Sequence, residues 1–177
     1  MPRLGNTLAA MTPVLLASLL AMSFGAAASA HAAAALPPID QNSAVYIVPV
    51  EPGVSYDDVV DSLKTNADGN NFVNPANFPI GDHMKQRGLT PEGPLEVRAF
   101  CNLGLGAEIM LDHPEFVVFA PCRIAIYQSK GLLYMALDRP SFDLKSIKNP
   151  TERAQKAALE LERVLIDIID KARKGDF

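Results

Sequence analysis

Cys101 and Cys122 are the only thiols in this chain of 177 residues, and their type and setting make them its first candidates for chemistry. Each lies in or at the end of an apolar stretch that reads as a strand, Cys101 in Arg98-Ala-Phe-Cys-Asn102 and Cys122 in Ala120-Pro-Cys-Arg123. Neighbouring strands would bring them together. In an oxidising compartment two thiols with no third most simply form a structural disulfide. The sharper reading is a reactive or metal-binding pair, because Arg123 beside Cys122 favours a thiolate. The chain has no CxxC, which disfavours thioredoxin-type exchange.

A metal needs more donors than two thiols. His83 with Met84, and Met110 with His113, are the candidates, with Met135 as a further thioether. Cys, His and Met together suit a soft ion such as copper(I), although the spacing matches no standard site and a lone His in a polar loop is more often solvated. A haem attachment motif is absent. So are GxSxG, HExxH, the phosphate-binding P-loop and GxGxxG, since Gly104-Leu-Gly106 lacks a third glycine and a βαβ setting. The acidic pairs Asp57-Asp58 and Glu160/Glu162 are explained by helix capping and solvation. The expectation is a protein without enzymatic activity.

The elements that must hold these residues can be read in order. Val45 to Val50 is β-branched and apolar, and Pro52-Gly53 ends it. Ser55 reads as a helix N-cap, with Asp57 and Asp58 in the first turn, Val59, Val60, Leu63 and Ala67 at helical spacing, and Gly69 as the stop. A short strand is expected at Phe72-Val73, then an irregular Asn- and Pro-rich segment, a helical turn at Asp82 to Arg87 and a loop to Pro94. Leu95 to Cys101 reads as strand, and Glu108 to Asp112 as a helix leading from Leu105 and ending before Pro114. Phe116 to Tyr127 is the most apolar run, with Pro121 marking a bulge or a break between two strands. Gly131 turns the chain into a hairpin partner, Leu132 to Leu137. Asn149 as N-cap and Pro150 at the first helical position open a final helix. Its apolar stripe runs through Ala154, Ala157, Ala158, Leu161, Val164, Leu165, Ile168, Ile169 and Ala172, and Glu160, Glu162, Arg163, Asp167 and Lys171 lie opposite. That helix should cover one side of a sheet, a coiled-coil partner being the alternative use of the stripe.

The first residues follow the secretory pattern. A basic start at Met1 to Leu4 precedes an apolar run from about Leu8 to Phe24 and a small-residue stretch, Gly25 to Ala35. Ala28-Ser-Ala30 and Ala30-His-Ala32 both fit the small-x-small cleavage rule, so the mature chain should begin near His31 or Ala33. Residues 1–32 are thus read as a cleavable signal peptide, 33–44 as a spacer, and 45–177 as one domain with a C-terminal amphipathic helix. The expected location is periplasmic or secreted, with no membrane span left after cleavage. Losing Arg3 takes the net charge from -4 to about -5, which argues against nucleic acid and anionic lipid as partners. With 49% hydrophobic and 20% charged residues, the composition is that of a globular domain.

The stretch from Arg98 to Tyr127, with Cys101-Asn102, a following helix and an apolar strand reaching Pro121-Cys122, resembles the domain of unknown function 302 family. Gly53 to Val60 and Gly69 to Val73 are similar to that family's opening helix and next strand. The resemblance covers roughly Val45 to Leu137. It implies an α+β domain, an antiparallel sheet covered by helices in strand-helix-strands-helix order, grouped with the TATA-binding-protein-like folds and often paired as homodimers. It places the family's Cys-Asn on Cys101-Asn102 and its Pro-Cys on Pro121-Cys122, with Leu103 where the family commonly has Pro. Asn102, Pro121 and Arg123 thereby join the cysteines as neighbouring site candidates. The function expected is that of an exported small binding or accessory protein for an unidentified ligand or protein partner. The alternative is a redox-active or soft-metal-handling protein working through Cys101 and Cys122.

Overall fold

The computed structural model describes Met1 and residues 34–177; the signal peptide read over 1–32, apart from Met1, lies outside the described residues. Ala33–Phe177 forms one compact unit. Its centre is a five-stranded antiparallel sheet in the order β1-β5-β4-β3-β2, made of β1 (Val45–Pro49), β2 (Val73–Phe78), β3 (Leu95–Cys101), β4 (Cys122–Ser129) and β5 (Leu132–Asp138). The helices are α1 (Tyr56–Gly69), α2 (Ile80–Lys85), α3 (Leu103–Met110), α4 (Pro140–Asp143) and α5 (Glu152–Ala172). Helices α2 and α3 stand between strands, so the element order is fuller than strand-helix-strands-helix. Among the described residues no helix is long and apolar enough to cross a membrane.

Side chains alternate along a strand, so register decides which residues share a face. One face carries Val48, Phe100, Ile124, Ile126, Met135 and Leu137, all buried against Val59, Leu63 and Ala67 of α1 and the stripe of α5. Leu161, Leu165, Ile168 and Ile169 are each at most 3% exposed, and burial of each is worth about 1.5–3 kcal/mol. The stripe is therefore spent inside the domain, as the sheet-covering reading requires. The other face is open. A row of apolar side chains, Ile47, Ala136, Ala125, Val97 and Phe78, crosses all five strands there, and Ile47 and Phe78 are nearly half exposed.

Ser55 caps α1 in a reciprocal box: its hydroxyl accepts from the Asp58 amide at 3.1 Å, and the Asp58 carboxylate accepts from the Ser55 amide at 2.9 Å. Four elements depart from the sequence reading. β2 runs on through Pro75 to Phe78, with a register shift between Val73 and Ala76 that takes up the proline. α3 starts at Leu103 because the Asn102 side chain caps it, its Oδ1 accepting from the Leu105 amide at 3.0 Å. Phe116–Phe119, the start of the apolar run expected as strand, lies in a 3-10 helix, Pro114–Phe119, with Pro at its start, so β4 begins only at Cys122. α5 is capped by Thr151, whose hydroxyl accepts from the Ala154 amide at 3.1 Å, while Asn149 turns back at φ 52°.

The stretch read as a spacer is pinned to the domain. The Tyr46 hydroxyl donates to the Pro37 carbonyl at 2.8 Å, and the Arg139 guanidinium donates to the carbonyls of Asp40 and Ser43 at 2.6 and 2.8 Å. Arg173, 2% exposed, donates to the Ala34 carbonyl and pairs with Glu51 at 2.9 Å and Asp170 at 2.7 Å.

Candidate functional site

The C-terminal ends of β3 and β5 and the start of β4 meet at one edge of the sheet. Asn102 turns the chain there from β3 into α3, and Ala120-Pro121 delivers it from the 3-10 helix into β4. A cavity of about 30 Å³ lies between this edge and the helices. Cys101, Asn102, Met110, Pro121 and Cys122 line it, as do Asp138 and Asp143, and Phe100, Phe116, Phe119 and Leu161 supply apolar walls.

Both thiols are free. The structural disulfide expected of this pair is not formed, and the register gives the reason. Cys122 lies directly opposite Phe100, so Cys101, one residue further along β3, is offset from it rather than paired with it. The two are near enough for the charge of one to act on the other: burial pushes the Cys122 thiol up to about 12, and Cys101, Asp138 and Asp143 add to the rise. Burial also raises Cys101. Arg123, the residue expected to favour a thiolate, is instead paired with Asp138, its neighbour on β5. These are protonated thiols at neutral pH, the opposite of the low-pKa setting that activates cysteine.

Of the proposed metal donors, the fold brings Met110 to the cysteines and leaves the others elsewhere. His83 is exposed on α2 and Met84 lies half-buried beside it. His113 is buried as a structural link, its Nε2 accepting from the Thr151 amide at 3.0 Å with Glu115 at 3.7 Å from Nδ1. Met135 is buried in the core of β5. Among the described residues no three His, Cys, Asp or Glu side chains group as a metal site. Asp138 and Asp143 were not legible as site residues; they reach the cavity only because β5 ends beside β4 and α4 follows at once.

Burial raises Asp143 to about 6, with the charge of Asp138 adding and Arg123 opposing. The folded protein therefore holds this proton more tightly than the unfolded chain does, and the stability it lends is present below 3.8 and lost as pH rises through about 6. The chemical-denaturation midpoint is expected to fall as pH rises across that window. Asp143→Asn should flatten this part of the profile; an unchanged slope would show that another group sets it.

The comparisons with known proteins bear on the same segments. The model of the family "Domain of unknown function DUF302" matches residues 46–172. The chain belongs to the DUF302 family. An "Uncharacterized protein" of Aquifex aeolicus (strain VF5) is 27% identical over 125 residues, covering 70% of this chain and 81% of the relative. The crystal structure of an uncharacterised conserved DUF302 protein from Bacillus stearothermophilus superposes with a TM-score of 0.65 at 19% identity, covering 73% of this chain and 98% of that one. That likeness shows the fold. Within it, Leu103 stands at the first position of α3, where proline is also well accommodated, so helix initiation by Asn102 does not depend on which is present.

Proposed function

We propose that this DUF302 protein is an exported, non-enzymatic binding or accessory protein whose ligand seat is the cavity at Cys101 and Cys122. The observation that carries the reading is the convergence of the two thiols, Asn102 and Pro121 on one apolar-walled space. Raised thiol pKa values favour it over a reactive pair, because neither cysteine is prepared as a nucleophile. Export is supported by the order basic start, apolar run and small residues in 1–35.

The full chain, expressed with its leader and recovered from the exported fraction, tests this by native and denaturing mass spectrometry. A mature N-terminus at His31 or Ala33 is expected, with an additional mass retained under native conditions and lost on unfolding. Retention of Met1, or a chain whose two cysteines are bonded to each other, would overturn it.

The open sheet face favours a homodimer as the form in which the protein works. Its only charged residues in the central rows, Arg123 and Asp138, pair with each other, so a second copy meets an apolar surface without net charge. Sedimentation of the same sample should show a dimer that Ile47→Glu converts to monomer; a monomeric parent would exclude it.

A further inference from the structure

We propose that the cavity is a soft-metal site in which the sulfurs of Cys101, Cys122 and Met110 hold one monovalent copper ion. This rests on the reading of the cavity as the ligand seat and names its occupant. The first argument is size. A space of about 30 Å³ is room enough for an ion or a very small molecule. The second is donor chemistry. The chain has two cysteines, and the fold brings both to this one space from different strands, with the thioether of Met110 arriving from α3. The Met110 side chain lies over Gly106, where a Cβ would come within 3.2 Å of the Met110 Cε, so the missing side chain leaves that position to the methionine. Thiolate and thioether select soft ions, and two or three sulfurs are a fitting set for copper(I).

Two negative features among the described residues sharpen the choice. Asp138 and Asp143 also border the space, but no three His, Cys, Asp or Glu side chains come together as a metal site, which disfavours four-coordinate zinc. No fully buried side-chain nitrogen or oxygen there lacks a hydrogen-bond partner, so no orphaned polar atom calls for a polar ligand. Binding replaces two thiol protons: Cu⁺ and two R–SH give a bis-thiolate copper complex of charge -1 and two H⁺ released. Copper enters and stays as Cu(I), and no electron is transferred.

The test is competition of the mature, exported protein against a chromophoric copper(I) chelator under anaerobic, reducing conditions, together with the protons released per ion. One copper per chain, two protons per copper and thiolate-to-copper charge-transfer absorption are expected. Cys101→Ser and Cys122→Ser should each weaken binding by about a hundredfold or more, beyond the 10–100-fold typical of an outer-shell change, and release one proton. Met110→Leu, which conserves core volume, should weaken binding by about tenfold without altering proton release, and circular dichroism checks that each variant is folded. Copper binding that survives the double cysteine substitution, or no binding tighter than that variant's, overturns the metal assignment. If a non-metal mass occupies the protein and Cys122→Ser displaces it, the metal assignment falls while the cavity remains the seat; a bonded cysteine pair removes both.

Discussion

Arg139→Met should destabilise the domain by about 3–5 kcal/mol, seen as an earlier midpoint in denaturant unfolding with an unchanged slope. The guanidinium and the Glu162 carboxylate are 3% and 6% exposed, and they meet through Nε at 3.0 Å and Nη2 at 2.9 Å. Every guanidinium nitrogen has a partner. Nη1 serves the Asp40 and Ser43 carbonyls, and the other Glu162 oxygen accepts from the Ser141 amide at 3.1 Å. Removing the arginine leaves a carboxylate buried without its counter-ion and frees two backbone carbonyls, and that combination sets the size of the effect. The charge is the larger share, so Arg139→Met/Glu162→Leu should recover much of the loss, since an apolar pair of similar volume often replaces a buried ion pair without penalty. If the double variant is no more stable than the single one, the pinned segment 34–44 rather than the charge pair carries the stability.

This pair also shows where sequence reading stops. The stripe of α5 was legible because burial on one helix face imposes a three- and four-residue period that side-chain type reveals. Glu162 sits on the polar side of that pattern, and nothing local says that an arginine from the end of β5 will bury it. The same division runs through the whole molecule. Ser55, the hairpin at Gly131, β1 and β3 declare themselves through residues close in sequence. Pro114–Phe119 does not: Phe-Val-Val-Phe has strand chemistry, but Pro114 starts a 3-10 turn and Phe116 is buried in the core, so tertiary packing overrides β propensity. Asn149 reads as the cap of α5, but its backbone turns to positive φ, and Thr151, whose backbone stays extended, takes the role. For the site, the cysteines and Met110 were legible by type, and Asn102 and Pro121 by their resemblance to the family's motifs. Asp138 and Asp143 depend on strand order, which no spacing announces.

Cys122 should be among the least reactive of thiols, and the measurement separates the two readings of the pair. A thiol pushed from 9.0 to about 12 has roughly a thousandfold fewer thiolates at neutral pH, so its reaction with a small disulfide reagent should be about a thousandfold slower than that of an unperturbed cysteine. The rate should rise about tenfold per pH unit and level off only near 12, because thiolate fraction governs it. Cys101, raised by burial but without a shift of that size, should react first, and Cys101→Ser isolates the slow phase. The cause is desolvation in the apolar space, so Leu161→Ala, which opens a wall of the cavity to water, should speed Cys122 more than it speeds Cys101. Rapid modification of Cys122 in the parent protein at neutral pH would mean that the thiolate is stabilised after all and would return the reactive-pair reading to the front. Slow modification leaves a protonated, sheltered thiol whose proton is displaced by a ligand with higher affinity for sulfur, which is the behaviour of a binding site.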